Sequence, residues 1–189
     1  MKRLSMIFVA VALLGACNNE KKTDETSAKA EDTKGTVAIA YPYKAGYSTD
    51  FSMGDPNHAK IVLDLYKMWE DNRIDEMKTL LADSVSIDFP DGNKFNDNKV
   101  DSFINFAKQI RPTFSSVKVV FDTWMPLHVN DAKEDFVLVW SRDYNTDMSG
   151  KVDSTRGHAY FLIKNNKVRS WSEFQQKLTP TPPPPPAKK

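Results

Sequence analysis

Between Val117 and Gln175 the chain alternates apolar and polar residues in four long runs, at about Val117–Val129, Asp135–Tyr144, Val152–Lys164 and Val168–Gln175. A period of two is that of a half-buried strand. The links between the runs are short and polar: Asn130-Asp131, Asp147-Met148-Ser149-Gly150 and Asn165-Asn166. Runs joined this way read as a meander of antiparallel hairpins.

The preceding segment carries the helical signal. Asp55-Pro56 is a helix start, a capping carboxylate followed by proline in the first turn. Ile61, Val62, Leu65, Tyr66 and Trp69 then fall on one face at helical spacing, and Asn72 is suited to a left-handed end. A second helix follows, with Ile74, Met77, Leu80 and Leu81 inward. Ser84–Phe89 alternates as a strand, and Pro90-Asp91-Gly92 turns it. A third helix is predicted over about Asn98–Ile110, with Val100, Phe103, Ile104, Ala107 and Ile110 inward; Arg111-Pro112 ends it.

Helix, helix, strand, helix and then a long meander is an order with a known parallel. The stretch Leu65-Tyr66-Lys67-Met68-Trp69 through Arg73-Ile74-Asp75, Leu80-Leu81-Ala82-Asp83-Ser84-Val85 and on to Phe89 resembles the nuclear transport factor 2-like (SnoaL-like) superfamily. Lys167-Val168 matches that superfamily's step into its last strand, with Asn166 where a glycine is usual. The resemblance implies an α+β, cystatin-like fold over residues 56–178: a curved antiparallel sheet wrapped around three N-terminal helices, leaving a cone-shaped pocket. In such proteins the enzymes place acid, base or arginine residues in the cone. Binding members leave it apolar, or dimerise through the outer face of the sheet.

The two ends of the chain carry a different kind of information. Lys2 and Arg3 precede the apolar run Met6–Leu14, which is too short for the roughly 20 residues a permanent span needs. Leu14-Gly15-Ala16-Cys17 resembles the lipobox of bacterial lipoproteins, and Cys17 is the chain's only cysteine. The resemblance implies that residues 1–16 are a lipoprotein signal peptide and that Cys17 is acylated. With Asn18 rather than an aspartate next, it implies anchoring in the outer membrane of the cell envelope, on its periplasmic or surface side. Residues 17–36 read as a polar tether that cannot bury enough surface to order itself. Residues 37–55 carry Val37, Ile39, Tyr41, Tyr43, Tyr47 and Phe51 and are expected to lie extended against the domain. The tail 179–189, with five consecutive prolines at 182–186, is a stiff polyproline arm, either a docking ligand or a solvated end. Tyr41-Pro42-Tyr43 and Gly54-Asp55-Pro56 also resemble segments of Bacteroidetes-type lipoproteins of unknown function. With 26 basic and 25 acidic residues there is no electrostatic case for nucleic acid.

Chemistry is harder to read. The ketosteroid isomerase branch needs a carboxylate base where this chain has Phe89, and Asp88 points to the other face of its strand. Its oxyanion-donating tyrosine falls at Leu65, with Tyr66 about 100° away around the helix. Arg156, His158 and Tyr160 share one face of their strand, and Trp140, Arg142 and Tyr144 one face of theirs; Ser141 and Asp143 lie opposite. If the face of Arg156 and His158 is concave, they bind an anionic ligand, or His158 acts as a base with Asp143 or Asp122. If it is the outer face, they are cross-strand surface pairs; alternation does not choose between the two. The ligand-pocket candidates are thus Tyr66, Trp69, Phe89, Phe103, Trp124, Trp140, Arg156, His158 and Tyr160, and the catalytic candidates His158, Arg156 and Asp143. No metal or cofactor is expected: His58, His128 and His158 have no ligand spacing, and His58 and His128 read as surface residues. Three functions follow. The chain is a membrane-anchored, non-catalytic binder of a small apolar or amphipathic ligand, or an interaction module. It is a SnoaL-like hydrolase or isomerase using Arg156 and His158. Or it is a structural homodimer of the envelope.

Overall fold

The computed structural model describes residues 40–178; Cys17, the tether and the proline tail lie outside the described residues. The chain parts into two units after Pro42, and the fold is that of the second. No described helix is long and apolar enough to cross a membrane.

Helix α1 (Pro56–Glu70) begins as its sequence dictates: the Asn57 N–H donates to the Asp55 carboxylate at 2.8 Å, with Pro56 in the first turn. It ends at Asn72, whose φ of 58° is left-handed, while the Arg73 N–H donates back to the Met68 carbonyl at 2.8 Å. The predicted second helix is a single turn, α2 (Ile74–Met77). The Thr79 hydroxyl donates to the Glu76 carbonyl at 2.7 Å, and the Leu80 carbonyl accepts the Val168 N–H at 2.9 Å. Sheet pairing therefore claims the segment, and Leu81 opens strand β2 (Leu81–Asp88) instead of closing a helix.

A second correction follows β2. The sequence Lys94–Lys99 forms an edge strand, β3, antiparallel to β2, and α3 (Val100–Ile110) starts two residues later than predicted. Polar Lys-Phe-Asn-Asp-Asn-Lys is a poor strand former, tolerable at a sheet edge where only one side is paired. A 3₁₀ turn, Arg111–Thr113, leads into β4 (Phe114–Val129), β5 (Glu134–Asp147), β6 (Val152–Lys164) and β7 (Lys167–Lys177). The short strand β1 (Phe51–Met53) lies along the β4 edge. In the same leading segment the Tyr47 hydroxyl donates to Glu134 at 2.6 Å, yet Tyr43, Tyr47 and Met53 stay exposed.

The sheet order is β1-β4-β5-β6-β7-β2-β3, open at both edges. It is antiparallel except at β7–β2, which pair in parallel. One face buries the helices. Ala59, Val62 and Leu65 of α1, and Phe103, Ile104 and Ala107 of α3, pack on Val137, Val139, Ala159, Phe161, Ile163 and Trp171. The curved sheet does not close fully over α1 and α3, and the space left is the cone.

Candidate ligand cavity

The cavity has a volume of about 730 Å³. Its walls are aromatic. Tyr66 and Trp69 come from α1, Phe103 and Phe106 from α3, and Phe89 and Phe95 from the β2–β3 hairpin. The sheet supplies Phe161 and Trp171, with Trp171 edge-on to Phe103 at 5.4 Å and stacked on Phe161 at 5.8 Å.

One end of this apolar space is polar. Ser141 and Asp143 on β5 and Glu173 on β7 face into it, and on β6 between them Thr155 lies opposite Asp143, Gly157 opposite Ser141 and Ala159 opposite Glu173. A Cβ at Gly157 would sit 3.0 Å from the Ser141 hydroxyl oxygen and 3.1 Å from an Asp143 carboxylate oxygen. The bare backbone lets the Asp143 carboxylate lean over β6. Ser141 donates to that carboxylate at 3.0 Å, and the Trp171 indole N–H donates to Glu173 at 2.8 Å.

Three groups here titrate above their ordinary range. Burial raises Asp143, opposed in part by the Ser141 hydrogen bond. Burial also raises Glu173, opposed by the Trp171 bond and reinforced by the charge on Asp143. Tyr66 is pushed well above its usual value by burial, then by the charges of Glu173 and Asp143. Tyr66 and Glu173 lie deep in the molecule yet keep accessible surface, because the cavity reaches them. The Tyr66 hydroxyl has no hydrogen-bond partner among the described residues.

The face that alternation left undecided is now fixed. Arg156, His158 and Tyr160 alternate with the inward Gly157, Ala159 and Phe161, so their side chains lie on the outer face. His158 borders the cavity only as the residue between Gly157 and Ala159. Its ring stacks on Trp140 at 4.7 Å and on Phe174 at 6.1 Å, and its Nδ1 lies 3.1 Å from the Val139 carbonyl oxygen. Arg156 is exposed, and Tyr160 borders a second, smaller cavity of about 400 Å³ beside the β2–β3 turn. Trp140 is on the outer face with His158. Trp124, 48% exposed, packs on Phe121 at the sheet margin, where a bulge at Asp122 shifts the register; Asp122 itself pairs outward with Arg142 at 2.7 Å. Of the predicted pocket residues, Tyr66, Trp69, Phe89 and Phe103 line the main cavity, and so does Asp143. His58 also departs from expectation: it is 8% exposed, with Nε2 3.2 Å from the Asn166 side-chain oxygen, because the first turn of α1 packs on the β6–β7 turn. His128 is half-buried beside Asp135 at 2.8 Å.

Glu173 and Trp171 carry the polar end but do not stand out in the sequence. The available signal is a carboxylate two residues beyond a tryptophan, on the apolar phase of the last strand. A register shift between Leu162 and Ile163 puts Val168 and Trp171, three apart, on one face and hides that phase.

Substituting Gly157 by alanine tests the floor. The backbone there is ordinary for a strand, so stability should change by no more than about 1 kcal/mol. The added methyl should displace the Asp143–Ser141 pair. Chemical denaturation and a crystal structure of the variant would check both.

The domain has the nuclear transport factor 2-like fold. No protein-family profile matches the sequence, and no curated protein matches it. Solved structures do. An LEH-like epoxide hydrolase from M. tuberculosis superposes with a TM-score of 0.54 at 9% identity, over 64% of this chain and 84% of the other. An NTF2-like protein of unknown function from Burkholderia pseudomallei K96243 gives 0.52 at 13% identity, over 64% and 91%. A protein assigned as a SnoaL-like polyketide cyclase from Jannaschia sp. CCS1 gives 0.52 at 16%, over 68% and 91%. At such identities the likeness is one of fold, and function has to be argued from the site.

Proposed function

We propose that this chain is a membrane-tethered lipoprotein whose domain binds a small, largely apolar molecule carrying one polar group. The observation that carries the reading is the cavity of about 730 Å³, aromatic along its walls and polar at one end. That size and chemistry are those of small-molecule sites, in which a few convergent polar groups orient an otherwise apolar ligand. Trp69 and Trp171 line the cavity and report on it. A neutral apolar probe such as N-phenyl-1-naphthylamine should quench their fluorescence saturably at micromolar concentrations. A signal that stays linear up to the probe's solubility limit would sink the reading.

The tether rests on Cys17 and the residues before it. Acylation at Cys17 anchors stably, since each buried CH₂ adds about 0.8 kcal/mol. Cys17→Ser should move the protein to the soluble fraction and abolish labelling by a palmitate probe. Labelling that persists would assign the lipid elsewhere.

A second reading, a hydrolase or isomerase, is favoured by one observation. Asp143 and Glu173 hold protons above the usual carboxylate range beside the Tyr66 phenol, which is equipment for general acid–base work. It would use these residues, since Arg156 and His158 face outward. Turnover of a model epoxide or enolisable ketone, lost in Asp143→Asn, is the result that would favour it.

A further inference from the structure

The cavity has an imbalance of charge that narrows what it can hold. Its acidic groups are Asp143, Glu173 and, on the β2–β3 turn, Asp91. The one lysine on its lining, Lys94, has its Nζ 3.0 Å from Asp88, and no arginine lines it among the described residues. From α1 the only titratable group facing in is Tyr66. From α3 come Phe103, Phe106 and Ala107; from β4, Val117 and Val119; from β6, Gly157 and Ala159, with the His158 ring on the other face. Neither inner carboxylate therefore meets a cation among the described residues. Their hydrogen bonds, from Ser141 and from Trp171, leave acceptor capacity unused, since an ionised carboxylate can take up to about four.

Resting on the reading that the cavity binds a small molecule, we infer that its ligand is a hydrophobic organic amine, bound as the ammonium. The ammonium sits at the polar end that Asp143, Glu173 and Tyr66 line, and the apolar body lies against Phe103, Phe161 and Trp171.

The floor suits this. Asp143 lies opposite Thr155 and Glu173 opposite Ala159, so their backbones are about 16 Å apart across and along β6. The Asp143 carboxylate leans from its own level over Gly157, toward Glu173. Between the two, β6 carries only hydrogen at Gly157 and methyl at Ala159, so no side chain fills the floor where an ammonium would pair with them. A charge buried in an apolar site is costly unless paired; an ammonium supplies the missing partner, whereas a carboxylate or phosphate ligand would add a third negative charge. The aromatic walls add a cation–π contribution. Burial holds Asp143 and Glu173 above their ordinary range in the free protein, so binding an ammonium must release protons. Affinity then falls as the pH is lowered through those raised values, while the amine itself stays charged.

The test uses the acylated full-length protein in detergent and three isosteric probes: 2-phenylethylamine, 2-phenylethanol and phenylacetate. Calorimetry near pH 8 should give the amine at least about tenfold tighter binding than the alcohol, and no binding of phenylacetate. Near pH 5 the amine's advantage should shrink. In an Asp143→Asn, Glu173→Gln double variant with an intact thermal transition, the amine should bind no better than the alcohol. Alcohol or phenylacetate binding as tightly as the amine would overturn the ammonium and leave the small-molecule site standing. No binding of any of the three would overturn both. An amine preference that survives in the double variant would place the ammonium elsewhere and also overturn the inference.

Discussion

Replacing Arg111 with methionine should cost about 3–5 kcal/mol of stability, roughly a fifth or more of the 5–15 kcal/mol that a domain usually has. Arg111 is 6% exposed and meets no carboxylate among the described residues. Its Nε donates to the Trp69 carbonyl at 2.7 Å, one terminal nitrogen to Glu70 at 2.8 Å and the other to Phe114 at 3.0 Å. Two of these acceptors are last-turn carbonyls of α1, which have no partner inside the helix. From the end of α3, the guanidinium thus caps the C-terminus of α1, where the helix dipole is negative and a cation is favoured. Burial still lowers its pKa, but the side chain stays charged. Methionine fills the volume but takes a charged donor from all three carbonyls and leaves that of Trp69 only the Asn72 N–H at 3.3 Å. Lysine keeps the charge, yet one ammonium cannot reproduce a planar fork aimed at three oxygens, so it should recover less than half of the loss. Urea unfolding at neutral pH, with the slope unchanged, is the measurement. A loss below about 1 kcal/mol would mean that water replaces the cap. The effect should also reach the cavity, because the turn that Arg111 holds carries Trp69, and Tyr66 lies one turn before it.

Most of the frame that presents those residues was legible in the sequence, for identifiable reasons. Asp55-Pro56, Asn72 and Asn165-Asn166 each act locally: a cap, and left-handed residues that end a helix or turn a hairpin. The meander strands follow from a period of two. Long-range pairing is what escaped. Leu80 and Leu81 continue a helical pattern, and only the parallel ladder with Val168 draws them into β2. Lys94–Lys99 has no strand propensity of its own and is a strand because β2 is beside it. For the candidate site the sequence left one question open, which face of the sheet is inside. On β5 both phases are apolar at first, Val137 and Val139 against Phe136, Leu138 and Trp140. The larger aromatic set lies on the outer face, where Trp140, His158 and Phe174 stack across three strands. The cue was one of size. Gly157 and Ala159 are small because Asp143 and the main cavity lie over them, and Arg156, His158 and Tyr160 are large because no described helix packs on their face.

Trp171 couples that cavity to the core, and its two substitutions separate the two roles. Alanine should cost about 3–5 kcal/mol, because the ring is 7% exposed and packs against both Phe103 and Phe161. Phenylalanine keeps most of that packing but removes the indole N–H that Glu173 accepts at 2.8 Å. That bond is what opposes the upward push of burial on Glu173, so its pKa should rise further from the ordinary 4.5. The sign of the stability effect then follows from linkage. A carboxyl whose folded pKa exceeds its unfolded one contributes stability that is fully present below the unfolded value and is lost as the pH rises through the folded value. Trp171→Phe should therefore look closest to the parent in acid, near the unfolded pKa, and fall behind it as the pH climbs past 4.5 toward neutrality. Adding Glu173→Gln should flatten that difference, since no carboxylate is left to strand. Thermal midpoints of the parent, Trp171→Phe and the double variant across this range make the comparison. A Trp171→Phe deficit that does not vary with pH would mean that the indole only packs and that Glu173 is solvated through the cavity mouth. A deficit that grows with pH and vanishes with Glu173 would show that the protein holds a carboxylate at the floor of the cavity at the expense of its own stability, as expected of a group kept for what it binds.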